Sequence, residues 1–348
     1  MKKDRNINLD FLRAYALFLV VLAHNVFEME DIITWGDKLM LLFHMMGMST
    51  IALWLILSGY LCNRRPLGAK HYLSYTHIFV QYMLCSIICV VFNVVYLGAE
   101  ASPVVALKSI LDFSASKYAW YVVLYNGLFL MMPFLNIIYH GLKTQKQKQF
   151  LLLTMIVLTI LPSFANLYFH IYEQWWYRLY PLTYYFVGAY LSEYMPKVKP
   201  WKLGMALLAV ILAFTAFIMY YCDFKTIGTD VLTYHDSFGI FIIVVLTFIW
   251  FCNLDLSRVP AVIGKAITQI SKVSFSAYLL SHIFDSILYQ KIFYWLPYLR
   301  YRYKYSIPVV IVSFVCSILL ACVVEYIGAP ISKALKNAIA KHLPQKEA

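Results

Sequence analysis

The sequence predicts an all-α polytopic integral membrane protein, a bundle of about ten transmembrane helices with both termini in the cytoplasm. Three observations predict it. Hydrophobic residues make up 62% of the 348 residues and charged residues only 13%, about half the charged share of an ordinary soluble domain. Mean hydropathy is +0.70. The apolar residues gather into runs long enough to cross a hydrocarbon core, and the basic residues fall between alternate runs.

The first run, near 8–27, follows Lys2, Lys3 and Arg5 and precedes Glu28, Glu30, Asp31 and Asp37. The second, near 38–61, leads to Arg64, Arg65 and Lys70, and the third lies near 77–98. The fourth, near 119–140, precedes Lys143, Lys146 and Lys148; the fifth, near 150–168, ends in an aromatic cluster of Tyr168, Tyr172, Trp175, Trp176 and Tyr177. The sixth, near 178–195, is the weakest, being interrupted by Pro181 and several tyrosines, and it leads to Lys197, Lys199 and Lys202. The seventh, near 203–221, is followed by Asp223, Asp230 and Asp236, and the eighth, near 237–253, by Arg258, Lys265 and Lys272. The ninth lies near 273–293 and the tenth near 306–328, after which come Lys333, Lys336, Lys341 and Lys346. Basic loops therefore alternate with acidic or balanced ones, the positive-inside pattern that assigns both termini to the cytoplasm.

One loop departs from the pattern. The ninth connection, expected outside, carries Lys291, Arg300, Arg302 and Lys304 among Tyr294, Trp295, Tyr298, Tyr301, Tyr303 and Tyr305. It reads either as a cationic, aromatic mouth for an anionic or sugar-bearing acceptor or as an interfacial anchor, with rings at headgroup depth and bases on lipid phosphates. Belt residues explain the cluster around Trp175 equally well.

The sequence holds no linker, low-complexity stretch or internal repeat, so a single membrane domain over 1–348 is expected. The formal charge of +12 marks topology, and nucleic acid is not expected as a partner, because the bases lie between apolar runs. No small-residue cleavage site follows the first run, which is expected to stay as an anchor. The seven cysteines form no CxxC and no Cys/His metal spacing. Cys85, Cys89, Cys316 and Cys322 sit in apolar runs as small hydrophobes, and no metal is expected.

Arg13 and His24 lie inside the first run, where ionisable side chains are costly and usually functional. Eleven residues of α-helix turn through about 1100°, so the two side chains share a face to within roughly 20° and stand about 16 Å apart along the axis. They can hold opposite ends of one long ligand. The bland reading is a snorkelling Arg and an interfacial His. A buried guanidinium needs partners; Asp10, at i−3, is the nearest candidate, and Glu325 is another. Arg suits bidentate phosphate binding, and His24 suits acceptance of a proton from a hydroxyl. Two more histidines fall in apolar runs. His44 reads best as a packed core residue. His282, with Asp285 at i+3, is evenly balanced between core and function, because an intramembrane His–Asp pair is costly unless it lines a cavity.

The opening Asn8-Leu9-Asp10-Phe11-Leu12-Arg13 through His24 resembles the signature of membrane acyltransferase family three. Leu55-Ile56-Leu57-Ser58-Gly59-Tyr60-Leu61 is similar to that family's Ser-Gly end of the second helix. Trp120-Tyr121-Val122 through Pro133-Phe134-Leu135 is similar to its Trp-Tyr to Pro segment in the fourth. Phe186-Val187-Gly188-Ala189-Tyr190-Leu191 and Ser274-Phe275-Ser276-Ala277-Tyr278-Leu279-Leu280-Ser281-His282 resemble its later landmarks. The five together run through nearly the whole chain. One departure concerns the donor: many members carry an arginine pair at the start of the third helix, where this chain reads Lys70-His71-Tyr72-Leu73-Ser74-Tyr75-Thr76-His77.

The resemblance implies an acyl-CoA-dependent O-acyltransferase of the cell membrane that moves an acyl group, most often acetyl, onto a hydroxyl of a cell-surface or lipid-linked glycan. It implies no tightly bound cofactor, acyl-CoA (acetyl-CoA first) as donor, the glycan and the bilayer as partners, and polysaccharide-synthesis machinery as a protein partner. On that reading Arg13 meets the phosphate or pantetheine arm, His24 is general base, and Asp10, His282 and Asp285 support. The rival is an exporter or flippase of lipid-linked sugars in which Arg13, His24 and Asp285 line a path without bond chemistry. The absence of a repeat and the ordered landmarks favour the enzyme.

Overall fold

The computed structural model describes residues 5–26, 43, 46–165, 175–221, 234–296 and 302–342. Among them all regular structure is helical. The helices are α1 (Ile7–Val26), α2 (Thr50–Cys62), α3 (Ala69–Leu73), α4 (Thr76–Val95), α5 (Pro103–Leu111), α6 (Trp120–Gly141), α7 (Gln145–Thr159) and α8 (Pro162–Ala165). After a 3₁₀ turn at Trp176–Leu179 come α9 (Tyr180–Glu193), α10 (Pro200–Tyr221), α11 (Phe238–Asn253), α12 (Ala261–Trp295) and α13 (Tyr303–Lys341). Five stretches are long and apolar enough to cross a membrane: Ile7–His24, Ala69–Val95, Trp120–Gly141, Pro200–Phe217 and Lys304–Lys341. Met46–Cys62 and Phe238–Asn253 are apolar but shorter.

Each apolar run of the sequence overlaps a helix, and the differences have local causes. Pro181 does not interrupt the sixth run; it sits in the first turn of α9, where its missing N–H costs nothing and its fixed φ suits helix entry. The fifth run begins early, at a capping box in which Thr144 accepts from the Gln147 backbone and Gln147 accepts from the Thr144 backbone, which satisfies two orphan amide groups. It stops at Thr159, and a separate turn starts at Pro162, whose ring cannot continue the ladder. The last helix continues past the apolar run to Lys341, because extending a formed helix through Ser332–Lys341 costs far less than nucleating one. His44, Tyr168, Tyr172, Arg300 and the acidic residues Glu28, Glu30, Asp31, Asp37, Asp223 and Asp230 lie outside the described residues.

The chain divides into two compact units, Met1–Asn63 with Ile137–Ser271 and Leu296–Val310, and Arg64–Asn136 with Lys272–Trp295 and Ile311–Ala348. In the first unit α2 and α9 meet backbone to backbone. A Cβ built on Gly59 would collide with the Tyr185 carbonyl, and one on Gly188 with the Ile56 carbonyl. Two glycines facing each other's helices permit this approach, as small residues do in membrane helix pairs. Asn63 extends the contact by donating to Ser192 Oγ over 2.9 Å, and Thr159 and Thr183 share a buried hydroxyl pair at 2.6 Å. At the far end of α9, Lys148 reaches Glu193 at 2.5 Å with the Tyr139 ring 4.5 Å from its ammonium. That buried lysine is paired rather than loop-exposed, although it lies in a loop-charge cluster of the sequence.

In the second unit α4 supplies the polar contacts. Gln81 donates to Glu325 on α13 at 2.8 Å and accepts from Ser276 on α12 at 3.0 Å. Cys85 and Cys89 lean on the carbonyls of Ser276 and Leu279. They are buried thiols that act as small hydrophobes, as expected.

Candidate active site

The segment Asn8–Arg13 places a different task on nearly every residue. Asn8 donates through Nδ2 to the carbonyls of Phe251 and Leu254 at 2.9 and 2.8 Å. It thereby serves two acceptors at the end of α11, where the Phe251 carbonyl also takes the Leu254 backbone N–H at 3.3 Å. Phe11 and Tyr15 place their rings 5.1 and 4.9 Å from Phe251, and Leu9 and Leu12 are buried. With one face of α1 fixed against α11, the i, i+3 pair Asp10 and Arg13 stands on another.

Asp10 is the centre of a charge cluster and is only 1% exposed. Arg5 grips it with two parallel bonds, Nε to Oδ2 at 2.5 Å and Nη2 to Oδ1 at 2.9 Å. Arg13 adds one bond, Nη1 to Oδ1 at 3.2 Å. Ser271, about three turns into α12, donates to Oδ1 at 2.7 Å, and Thr268 to Oδ2 at 3.4 Å. Every lone pair of the buried carboxylate is thus served, the condition under which burying a charge is tolerable. Two guanidinium groups face one carboxylate, so the cluster keeps a net positive charge. Arg5 spends its fork on Asp10, whereas Arg13 meets both Asp10 and Ser271 through Nη1. The expected Asp10 partnership of Arg13 is present. Glu325, the other carboxylate considered, accepts from Gln81 and stands 3.5 Å from His77.

His24 lies on the same unbroken helix, Ile7–Val26, half-buried near its end, and the helical rise sets it about 16 Å along the axis from Arg13. Ala23 beside it is in close contact with Gly47, where any side chain would strike Ala23 Cβ.

His282 and Asp285 belong to the second unit. Asp285, 1% exposed, accepts from Tyr118 at 2.9 Å and from Ser313 at 2.6 Å. The His282 ring packs edge-on to Tyr118 at 5.5 Å and to Phe92 at 6.3 Å, with Ser286 Oγ 3.4 Å from Nδ1. Among the described residues no ion pair joins His282 to Asp285; hydroxyl groups, not the imidazole, serve the carboxylate. Tyr118 also holds Tyr278, whose hydroxyl donates to the Tyr118 carbonyl.

Sequence reasoning missed Arg5, Ser271 and Thr268 around Asp10, and Tyr118 and Ser313 around Asp285. Arg5 stood in plain view five residues before Asp10, but counted as a topology charge. The others come from distant segments and leave no trace in local spacing. In place of an arginine pair before the third helix, His71 donates through Nε2 to the Phe129 carbonyl over 2.9 Å and stacks on the Phe129 ring at 4.2 Å. Among the described residues no cluster of His, Cys, Asp and Glu could hold a metal.

The landmark segments now have physical meaning. Ser58-Gly59 and Phe186-Val187-Gly188 are the two halves of one helix contact, and Tyr121 meets Tyr278 edge-on at 6.0 Å, which joins the fourth-helix landmark to the last. No curated protein and no solved structure matches the chain. A family profile described as an acyltransferase domain matches residues 6–326. That match begins at the charge cluster and takes in all five landmark segments in order, and the chain belongs to acyltransferase family three.

Proposed function

We propose that this membrane acyltransferase is an O-acyltransferase of the plasma membrane, taking an acyl group, acetyl first, from cytoplasmic acyl-CoA to a hydroxyl of a cell-surface or lipid-linked glycan. The observation that carries the proposal is one helix holding both a positively charged cluster at Arg13 and an imidazole at His24, within a family match over residues 6–326. On this reading ten helices cross the membrane with both termini inside. Arg13 then lies towards the cytoplasm and His24 towards the exterior.

The donor enters from the cytoplasm, and Arg13 meets its phosphate or pantetheine arm. Arg5 and Ser271 hold Asp10, and Asp10 holds Arg13, so the fork is set before the donor arrives. The extended arm brings the thioester towards the level of His24. His24 takes the proton of the acceptor hydroxyl, the oxygen attacks the thioester carbonyl, the C–S bond breaks, and the thiolate leaves to be protonated. His282 and Asp285 support the second unit through Tyr118 and Ser313. Polysaccharide-synthesis machinery supplies the acceptor. The export reading loses ground to a family match that names bond chemistry.

Mass spectrometry of surface glycans from cells with and without the gene tests the proposal. Loss of an acyl mass increment on deletion is expected, restored by the wild-type gene. His24→Ala should fail to restore it while inserting normally, because removing a general base costs about a hundredfold to ten-thousandfold in rate. Unchanged glycan mass on deletion would remove the proposal.

A further inference from the structure

The second unit carries a cleft that the charge cluster and the two histidines leave unused. It has a volume of about 440 Å³ and is lined by Asp112, Phe113, Ser114, Lys117 and Trp120 among others. This lies within the roughly 300–1,000 Å³ typical of small-ligand sites. Its rim is fixed from below. Ser116 donates to the Leu279 carbonyl at 3.1 Å, and Tyr118 donates to the buried Asp285. Lys117 stands between these two anchors with its own side chain exposed. Asn93 holds the Ala115 carbonyl at 3.0 Å. Phe113 is held at φ 62° with its ring 4.8 Å from that of Tyr82, a left-handed backbone that a bulky residue adopts only when its surroundings impose it.

The groups on this fixed rim are of complementary kinds. Ser114 donates to Asp112 Oδ1 through both its hydroxyl, at 2.6 Å, and its backbone N–H, at 3.1 Å. The Ser114 hydroxyl bond leads the contacts that hold the Asp112 carboxyl below its ordinary range. It is therefore a pure acceptor at neutral pH, with Oδ2 left for a ligand hydroxyl. Lys117 supplies an exposed donor. Trp120 is 42% exposed and supplies a flat apolar platform. One acceptor, one donor and one aromatic face, with opposite charges that balance, suit a sugar ring, which has hydroxyls around its edge and C–H groups on its face. A lipid phosphate would meet Asp112.

We propose that this cleft binds a saccharide, with Trp120 stacking on the ring and Asp112 and Lys117 reading its hydroxyls. The connection between α4 and α6 that carries it is external in the ten-helix topology, the side from which a surface glycan arrives. The proposal rests on the glycan-acceptor reading for its biological meaning, and its test does not need acyl transfer.

The experiment uses the full chain purified in lipid nanodiscs, with saturation-transfer NMR against polysaccharide fragments prepared from cells lacking the gene. Wild-type protein is expected to bind them. Trp120→Ala and Lys117→Ala should bind about tenfold or more weakly, the loss typical of removing a central anchor, and Trp120→Phe should recover much of it. Trp120 and Lys117 are exposed, so unchanged melting and gel-filtration profiles separate a binding defect from misfolding. Equal binding by wild-type, Trp120→Ala and Lys117→Ala would overturn the cleft and leave Trp120 as an interfacial anchor. An absence of binding by wild-type protein would also overturn it, whereas the glycan masses from the deletion decide the acyltransferase reading separately.

Discussion

Arg13 and Arg5 share a carboxylate but do different work. Arg5 makes the bidentate grip on Asp10 and is the structural partner; Arg13 meets it with a single nitrogen. If Arg13 only snorkelled, Lys would replace it, since both have a long apolar stem and a terminal charge. A fork that also meets a donor phosphate cannot be reproduced by an ammonium. Arg13→Lys is therefore expected to insert at wild-type abundance and to raise the apparent KM for acyl-CoA about tenfold, one lost charge-assisted contact of about 1.4 kcal/mol. Acyl transfer in isolated membranes across a range of acyl-CoA concentrations reads this directly. Wild-type kinetics at wild-type abundance would take Arg13 out of donor binding.

At the scale of elements, the contact of α2 with α9 is the most demanding in the first unit. Gly59 and Gly188 each face a carbonyl of the opposite helix, with no flexible side chain to move aside. Gly188→Ala should push the helices apart and cost about 1–3 kcal/mol or more, the range for overpacking a tight contact. The loss should appear as a lower melting temperature of detergent-solubilised protein and a smaller monodisperse fraction. Gly141→Ala, where a Cβ would meet open space, is the matched control and should melt like wild type. A Gly188→Ala protein as stable as that control would mean the two helices can separate without penalty. The long helices α12 and α13 have another role. Thr268 and Ser271, in the N-terminal third of α12, serve Asp10, and Asp285 farther along the same helix is served by Tyr118 and Ser313. One helix thus carries polar partners for the first unit and a buried carboxylate of the second.

At the scale of the whole molecule, the charge alternation predicts which loops face which side. In a background without native cysteines, a Cys at Lys146 should resist a membrane-impermeant thiol reagent in intact cells, and one at Arg300 should react. Labelling at Lys146 from outside would break the ten-helix topology. The sequence by itself determined the class of this protein, because transfer of apolar side chains into lipid depends on composition and run length, and both are readable one residue at a time. It also determined the helix that carries Arg13 and His24, since side chains eleven apart share a face by helical geometry alone, and it named Asp10 because i and i+3 are neighbours on any helix. Only the tertiary structure decided that Arg5, not Arg13, makes the bidentate pair of hydrogen bonds to Asp10, and that Ser271 adds a further one from far along the chain. It likewise gave Asp285 other partners than His282, since Tyr118 from the turn before α6 and Ser313 from α13 reach the carboxylate. The reason is the same in each case: a buried charge is satisfied by whichever donors packing brings within about 3 Å, and packing between distant helices has no period in the sequence.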